Sequence, residues 1–246
     1  EVVSVPEGLA VPVPAGVSAE QAAFAGLGSV AFWALKRAGL SAGDRLTVLG
    51  LGVIGQLAAG LGKAFGAKVQ ALERVEFRRR VAERLGVRAY AEPGGLEGEQ
   101  DVVVIAAADP TGFLSKLGAR LLRDGGTLVP LGPSKFSFSW ADFYGKELRV
   151  LAVRSHGPGR YDALYERGRG YPASAVPWDL RRNLRAFLDF VREGLFDPAP
   201  LITHRFPIDE GDKAYELIRK TKDFVGVLIT YGEPEPKRVI LSLIHI

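Results

Sequence analysis

Runs of consecutive hydrophobic residues alternate with amphipathic stretches between residues 45 and 153. Predominantly apolar runs such as 46–49 and 102–106 are typical of strands that are buried on both faces of a parallel sheet. Between these runs, hydrophobic positions recur every three or four residues, as on one face of a helix. Because crossovers between parallel strands are right-handed, this alternation predicts an α/β fold with a doubly wound parallel sheet, the Rossmann arrangement. The predicted strands are 46–49, 68–72, 101–106, 127–131 and 148–153, and the predicted helices are 53–65, 75–85 and 111–122, with a turn at 124–126.

The two flanks of this region follow a less regular pattern. Residues 1–17 alternate Val with Pro and Gly, which predicts short edge strands and turns. Ser18 has the features of an N-cap, and it predicts a helix that extends towards Leu35 and is closed by Gly39. After His156, the predicted elements are a loop over 157–177, helices over 180–192 and 210–219, and strands over 201–206 and 225–230.

Composition and charge exclude several classes of protein. The chain has 246 residues, a net charge of +4 and no Cys, which excludes disulfides, thiolate metal sites and a cysteine nucleophile. The densest basic run, Arg78–Arg80, is flanked by apolar residues at four-residue spacing. We therefore interpret it as the solvated face of a helix and not as a nucleic-acid site. The longest uncharged stretch, 46–62, is too short to span a membrane. With no targeting signal visible, we expect a cytoplasmic protein.

A glycine-rich turn carries the chemistry that the sequence indicates. Gly50, Gly52 and Gly55 form a G-x-G-x-x-G pattern between a predicted strand and a predicted helix. In this context the first Gly permits a tight turn, the second permits close approach of a pyrophosphate, and the third permits close packing of helix on sheet. The helix begins with Val53 and Ile54, whose N–H groups lie at the positive end of the helix dipole. The pattern predicts a dinucleotide site.

The residue that follows the second strand indicates which dinucleotide is bound. Glu73 lies 23 residues after Gly50, where a carboxylate accepts hydrogen bonds from the adenosine ribose. A carboxylate there repels a 2′-phosphate, which favours NAD. Arg74 and Arg78 are close enough in sequence to hold such a phosphate instead, so NADP stays open.

Several further residues are candidates because of their place in the predicted sheet. Backbone after the strands ending near Ala106 and Leu131 is expected to pass the nicotinamide side of the cofactor, and the candidates there are Ala107, Asp109, Pro110, Leu131 and Gly132. His156 follows the last predicted strand and is the candidate for proton transfer, with a loop histidine as the alternative. We expect a structural role for His204; Ser29 and Tyr161 are further hydroxyl candidates.

Three segments of the sequence resemble a known family. The runs 39–45 and 49–56, the opening 6–23, and the segment 200–217 are similar to the medium-chain dehydrogenase/reductase superfamily, which includes the zinc alcohol dehydrogenases. The resemblance covers about residues 1–232. It implies an NAD(P)-dependent oxidoreductase that transfers a hydride between nicotinamide and an alcohol or carbonyl substrate, with a sugar-related substrate as one option.

The resemblance also implies a domain organisation and an upstream part that this sequence lacks. It predicts that residues 1–25 end a GroES-like β-rich catalytic domain, that 26–194 form the Rossmann domain, and that 195–240 return to the catalytic domain. Because the chain begins with Glu1 and lacks Met, we expect a fragment whose upstream part held most catalytic residues, and we expect it to be inactive alone. Ala25 stands where the zinc enzymes of the family have a Cys ligand, so no zinc ligand is visible.

Two features lie outside the general family pattern. Tyr161, Asp162 and the stretch 178–187 resemble a bacterial branch that is fused to a second oxidoreductase domain. The last six residues, 241–246, which include His245, resemble a translated sequencing adaptor, and we expect a non-native tail; a docking strand is the alternative.

Two other functions remain compatible with the residues. S-adenosylmethionine-dependent methyltransferases also combine a glycine-rich first turn with an acid after the second strand. A non-catalytic nucleotide-binding homologue would keep the site without the chemistry. For the oxidoreductase we expect a small-molecule partner, no nucleic acid, no membrane and a homo-oligomer.

Overall fold

The computed structural model describes residues 4–232. Its helices are α1 (Ala19–Ala22), α2 (Ala25–Ala38), α3 (Val53–Ala64), α4 (Glu76–Arg84), α5 (Phe113–Leu121), α6 (Trp140–Tyr144), α7 (Ala163–Glu166), α8 (Leu180–Arg192) and α9 (Gly211–Lys220). Its strands are β1 (Arg45–Leu49), β2 (Lys68–Leu72), β3 (Arg88–Tyr90), β4 (Gln100–Ile105), β5 (Leu122–Pro130), β6 (Arg149–Val150), β7 (Ile202–Pro207) and β8 (Gly226–Thr230). Single turns of 3-10 helix occur at Glu7–Leu9, Pro93–Gly95, Ala199–Leu201 and Ile208–Glu210. The predicted tail 241–246, with His245, lies outside the described residues.

The chain divides into two compact units. One unit is formed by residues 30–154, and the other by residues 4–29 together with 155–232. The division assigns 155–194 to the second unit, whereas the sequence-based limit lies after residue 194. The domain limits inferred from the resemblance stay a prediction. None of the helices in either unit, over the described residues, is long and apolar enough to cross a membrane.

The unit formed by residues 30–154 is built on a six-stranded parallel sheet with the strand order β3-β2-β1-β4-β5-β6. The order reverses between β1 and β4, and right-handed crossovers therefore place α3, which packs on β1 and β2, and α5, which packs on β4 and β5, on opposite faces. This explains why the run Val102–Ile105 is buried and apolar at every position. The prediction of a doubly wound α/β fold is confirmed.

A buried polar network connects β1, β2 and β4 within this sheet. The Gln70 amide donates to the Thr47 hydroxyl at 2.9 Å, and the same hydroxyl donates to the Gln100 side-chain carbonyl at 2.9 Å. Gln70 also bonds both the N–H and the carbonyl of Glu97, at 3.0 and 2.8 Å. Because each of these three side chains is buried, the network satisfies polar groups that would otherwise be left without water, and it fixes the connection into β4.

The second unit is held together by packing around α8. The Phe187 ring is fully buried and lies directly against Gly28 of α2, where a Cβ atom would overlap it. Strands β7 and β8 pair in parallel. Two long-range contacts connect the start of the chain to its later part: Arg205 forms a bidentate ion pair with Glu20 at 2.6 and 2.8 Å, and the Gln21 amide donates to Asp197 at 3.0 Å.

Several predicted elements are corrected by the structure. The described part of 1–17 contains no strand, because Pro6, Pro12 and Pro14 cannot donate to a ladder. The predicted turn at 124–126 lies inside β5 as an irregularity, since the register with β4 shifts there. The strand predicted over 148–153 is reduced to Arg149–Val150. The predicted first helix is divided into α1 and α2, and β3, α6 and α7 were not predicted because they are too short to show a period.

Candidate functional site

The glycine loop follows β1 at the point where the strand order reverses. Gly50 has a φ of +97°, and its N–H donates to the Leu72 carbonyl at 2.8 Å. A Cβ atom at Gly50 would lie 2.6 Å from the Cβ of Ala107 after β4, and one at Gly55 would overlap the carbonyl oxygen of Gly50. Both positions therefore require glycine, the first for its conformation and for space, the second for the contact of α3 with the loop.

Gly52 differs from these two glycines because nothing crowds it. It is the N-cap of α3 with a φ of −63°, and a Cβ built on it would meet no atom within 4 Å. It provides no side-chain cap, so the N–H groups of the first turn, which have no intrahelical acceptors, remain available to an external anion. Val53 and Ile54 at this turn are only partly buried. Open space beside free donors and a positive helix end fits a phosphate group.

Glu73 is placed directly beside this loop. It follows β2, is 9% exposed, and its Oε2 accepts a hydrogen bond from the Leu51 N–H at 2.8 Å. Its Oε1 accepts from the Val75 N–H at 2.9 Å. Each carboxylate oxygen has a second lone pair, so the group can still accept bonds from the hydroxyls of a ribose. The structure thus brings the predicted acid and the predicted loop together.

Two residues outside the set of predicted site residues hold the turn between β2 and α4. Arg79 Nη1 donates to the carbonyls of Glu73 and Arg74 at 2.9 and 2.7 Å. The Gln56 amide donates to the Arg78 carbonyl at 2.7 Å. The interpretation of the arginine run as a solvated face is wrong for Arg79. Its side chain is partly buried and donates to two carbonyls of the turn. No helical period distinguishes such an arginine from its neighbours.

The strand ends next to the glycine loop meet as expected for a switch point. The N–H groups of Leu131 and Gly132 donate to the Ile105 carbonyl at 2.8 and 3.2 Å. A Cβ at Gly132 would lie 2.5 Å from the Ala107 carbonyl oxygen, so the two loops touch through backbone. Asp109 is buried, and its carboxylate accepts from the Ser115 N–H at 3.0 Å, which gives it a structural role in starting α5. Pro110 is exposed.

The histidine and hydroxyl candidates lie in the other unit. His156 is partly buried, with Nδ1 2.6 Å from the hydroxyl of Ser155, and the amide of the fully buried Asn183 donates to its carbonyl at 2.8 Å. The Ser29 hydroxyl is buried and donates to a carbonyl of its own helix, that of Gly26, at 2.8 Å. A role for Ser29 in packing therefore accounts for its position.

Tyr161 and His204 are fixed by neighbours of their own. Tyr161 has a φ of +69°, and the Arg160 guanidinium lies 4.7 Å from its ring centroid. His204 on β7 contacts the Thr203 hydroxyl at 3.0 Å through Nδ1 and stacks on Phe206. Within residues 4–232, no three His, Cys, Asp or Glu side chains are grouped as a metal site would need.

The chain is similar to dehydrogenases and reductases of known identity. D-xylulose reductase from Scheffersomyces stipitis is 29% identical over 246 residues, which cover 91% of this chain and 61% of that protein. The structure of a protein from Sinorhizobium meliloti 1021, described as a zinc-binding dehydrogenase bound to NADP, matches with 25% identity and a TM-score of 0.70, over 88% of this chain and 61% of that one. These matches support the resemblance to the medium-chain dehydrogenase/reductase superfamily.

A solved structure with lower identity shares the fold. 2R,3R-butanediol dehydrogenase from Bacillus subtilis matches with a TM-score of 0.71 and 22% identity, over 89% of this chain and 60% of that one. No family model matches the sequence. The chain spans about three fifths of the length of these relatives. The glycine loop, Glu73 and the backbone after β4 and β5 converge at one edge of the parallel sheet.

Proposed function

We propose that this chain is the dinucleotide-binding part of an NAD-dependent oxidoreductase that acts on a small alcohol or carbonyl substrate. The observation that carries the proposal is the bond between Glu73 Oε2 and the Leu51 N–H, which places an acid beside an open, glycine-capped helix start. The named relatives are dehydrogenases and a reductase, which supports oxidoreduction over methyl transfer. One of them is named for the sugar D-xylulose, which supports a sugar-related substrate.

The site fits a nicotinamide dinucleotide from its own residues. The open space at Gly52 and the first-turn N–H groups of Val53, Ile54 and Gly55 would hold the pyrophosphate, and Glu73 would accept the ribose hydroxyls. The backbone of Ala107, Leu131 and Gly132 would lie along the nicotinamide half. When bound, the dinucleotide supplies hydride transfer at the nicotinamide ring. The chain's residues orient it and provide electrostatic complementarity.

We favour NAD over NADP because of charge and position at the ribose. The Glu73 carboxylate is held on the loop by two backbone N–H groups, and it would lie against a 2′-phosphate. Arg74 is exposed and Arg78 partly buried, and both are near enough in the chain to attract such a phosphate. A 2′-phosphate near the ribose would be repelled by the fixed carboxylate, because like charges are unfavourable at close range.

Further features of the whole protein complete the proposal. His156 is the candidate for proton transfer, supported by its contact with the Ser155 hydroxyl, which would orient the imidazole. The segments 1–25 and 195–240 are proposed to belong to a catalytic domain, with 26–194 as the Rossmann domain. A homo-oligomer, a fused second oxidoreductase domain and a cytoplasmic location are parts of the same proposal.

The first experiment is a titration of the 246-residue chain with NADH and NADPH, followed by calorimetry and by nucleotide fluorescence. We expect saturable binding that is tighter for NADH. Binding of neither nucleotide would overturn the proposal, and saturation by S-adenosylmethionine instead would favour the methyltransferase. Binding by the longer protein without turnover across a panel of polyols and ketoses would favour the non-catalytic homologue.

A further inference from the structure

The turn between β2 and α4 is held by side chains that have no place in the dinucleotide fingerprint. Arg79 Nη1 reaches back from the first turns of α4 to two successive carbonyls, those of Glu73 and Arg74, at 2.9 and 2.7 Å. These carbonyls belong to the acid that faces the ribose in the proposed function and to the residue after it. Arg79 therefore fixes the backbone on which the selective carboxylate is carried.

A second side chain fastens the same segment from the other side. Gln56 of α3 is fully buried, and its Nε2 donates to the Arg78 carbonyl at 2.7 Å. Its Oε1 is buried without a hydrogen-bond partner among the described residues. An apolar side chain of similar size would fill this space without leaving a polar atom unpaired. The contribution particular to the amide is therefore its bond to α4, together with a longer one to the Leu51 carbonyl at 3.4 Å.

These bonds restrict the turn, so the Glu73 carboxylate has little freedom to leave the glycine loop. The carboxylate of Glu73 is tied to the N–H groups of Leu51 and Val75, and the backbone beneath it is tied to Arg79. If the turn could rotate, the carboxylate could leave the loop and a neighbouring arginine could take its place beside a 2′-phosphate. Nη1 of Arg79 is itself directed at the two carbonyls.

We propose that Arg79 is a positioning residue for nucleotide selectivity: it rejects the 2′-phosphate of NADP indirectly, by keeping the Glu73 carboxylate at the glycine loop. This inference rests on the proposed function, because it concerns the same nucleotide site. It goes beyond the charge of Glu73, since it assigns part of the selectivity to an arginine that does not touch the ribose.

The test compares the dissociation constants of NADH and NADPH for the 246-residue chain and three variants, measured by calorimetry. Arg79→Ala removes the bonds to both carbonyls. Arg79→Lys keeps the charge but replaces the planar fork by a single ammonium. Arg80→Ala is the matched control, since it removes the same charge one residue away, from a side chain that is exposed and paired with Glu76. Circular dichroism and the melting temperature check that each variant is folded.

We expect the preference for NADH over NADPH to fall about tenfold in Arg79→Ala and about threefold or more in Arg79→Lys, and to stay within about twofold in Arg80→Ala. An unchanged preference in Arg79→Ala, with or without a lower melting temperature, would overturn the inference and leave the proposed function intact. If Arg79→Ala does not fold, an unchanged preference in Arg79→Lys has the same meaning. A wild-type preference for NADPH overturns the inference, and binding of neither nucleotide overturns the proposed function as well.

Discussion

The backbone N–H of Leu51 donates a hydrogen bond to Oε2 of Glu73 at a distance of 2.8 Å, and both residues are buried. The bond joins the glycine loop after β1 to the end of β2. It places a carboxylate next to the start of α3, where Gly52 leaves open space. A ribose and a pyrophosphate are adjacent groups in a dinucleotide, so this single bond brings together the two parts of the site that must act on neighbouring groups.

Replacing Glu73 by Gln should weaken both the site and the fold. An amide has one acceptor oxygen, so one of the bonds to Leu51 and Val75 is lost, and the NADH dissociation constant should rise about 10- to 100-fold. Fluorescence titration with NADH measures this, and urea unfolding should show a loss of about 1–3 kcal/mol. The control is Glu76→Gln on the exposed face of α4. Unchanged NADH affinity in Glu73→Gln would contradict the assignment of Glu73 to the ribose.

Alanine at Gly52 should mainly weaken nucleotide binding, whereas alanine at Gly55 should mainly weaken the fold. Gly52 has an ordinary φ and open space, so Gly52→Ala should change the free energy of unfolding by only about 0.5–1 kcal/mol while blocking the approach of a pyrophosphate. Gly55→Ala should lower the melting temperature strongly, because its Cβ would overlap the Gly50 carbonyl oxygen. Thermal unfolding and NADH titration of both variants separate the two effects. If Gly52→Ala binds NADH as tightly as the wild type, the space above Gly52 is not the pyrophosphate site.

The carboxylate of Asp101 should make stability depend on acid pH. Burial by itself would raise the pKa of Asp101, but hydrogen bonds from the Arg45 N–H at 2.8 Å and the Arg123 guanidinium at 2.6 Å outweigh it and hold the pKa below its ordinary value of 3.8. A carboxyl with a lower pKa in the folded state stabilises the fold above its unfolded pKa, and the effect is lost as the pH falls through the folded pKa.

The variant Asp101→Asn tests this dependence. At pH 7 it should unfold with about 1–3 kcal/mol less free energy than the wild type. The difference should begin to shrink near pH 3.8, where the unfolded wild-type carboxyl takes up a proton, and should be lost as the pH falls through the lower pKa of the folded state. Urea unfolding at several pH values measures it, with Asp124→Asn as a control of equal charge at an exposed position of β5. A difference that stays constant over this range would mean that the ionised form contributes nothing.

A methyl group at Gly28 should destabilise the unit that contains α8. A Cβ at this position would overlap the ring of Phe187, which is fully buried and cannot move without opening the packing. Gly28→Ala should therefore cost about 1–3 kcal/mol in unfolding free energy, although alanine favours helices. The control is Gly170→Ala, because nothing lies within 4 Å of a Cβ there. Equal melting temperatures for the two variants would show that the ring can yield.

The sequence alone determined the parts of this protein that depend on backbone period and local turn chemistry. Buried strands of a parallel sheet are predominantly apolar, and helices repeat every 3.6 residues, so β1, β2, β4 and the longer helices between them were predicted nearly to their ends. The glycine spacing at Gly50–Gly55 and the acid at Glu73 followed from the same local logic. The last strand of the six-stranded sheet, β6, was predicted too long, because it pairs with β5 over only two residues.

Only the tertiary structure decided which polar side chains are structural and which face the site. Arg79 and Arg80 are neighbours of one type, yet one holds the backbone of the turn and the other pairs with Glu76 on the surface. The partners of Gln70, Gln100 and Asp101 lie on other strands. A hydrogen bond between residues distant in the chain depends on packing geometry, which no short-range period encodes. The fingerprint thus came from the sequence, whereas the supports that orient it came from the fold.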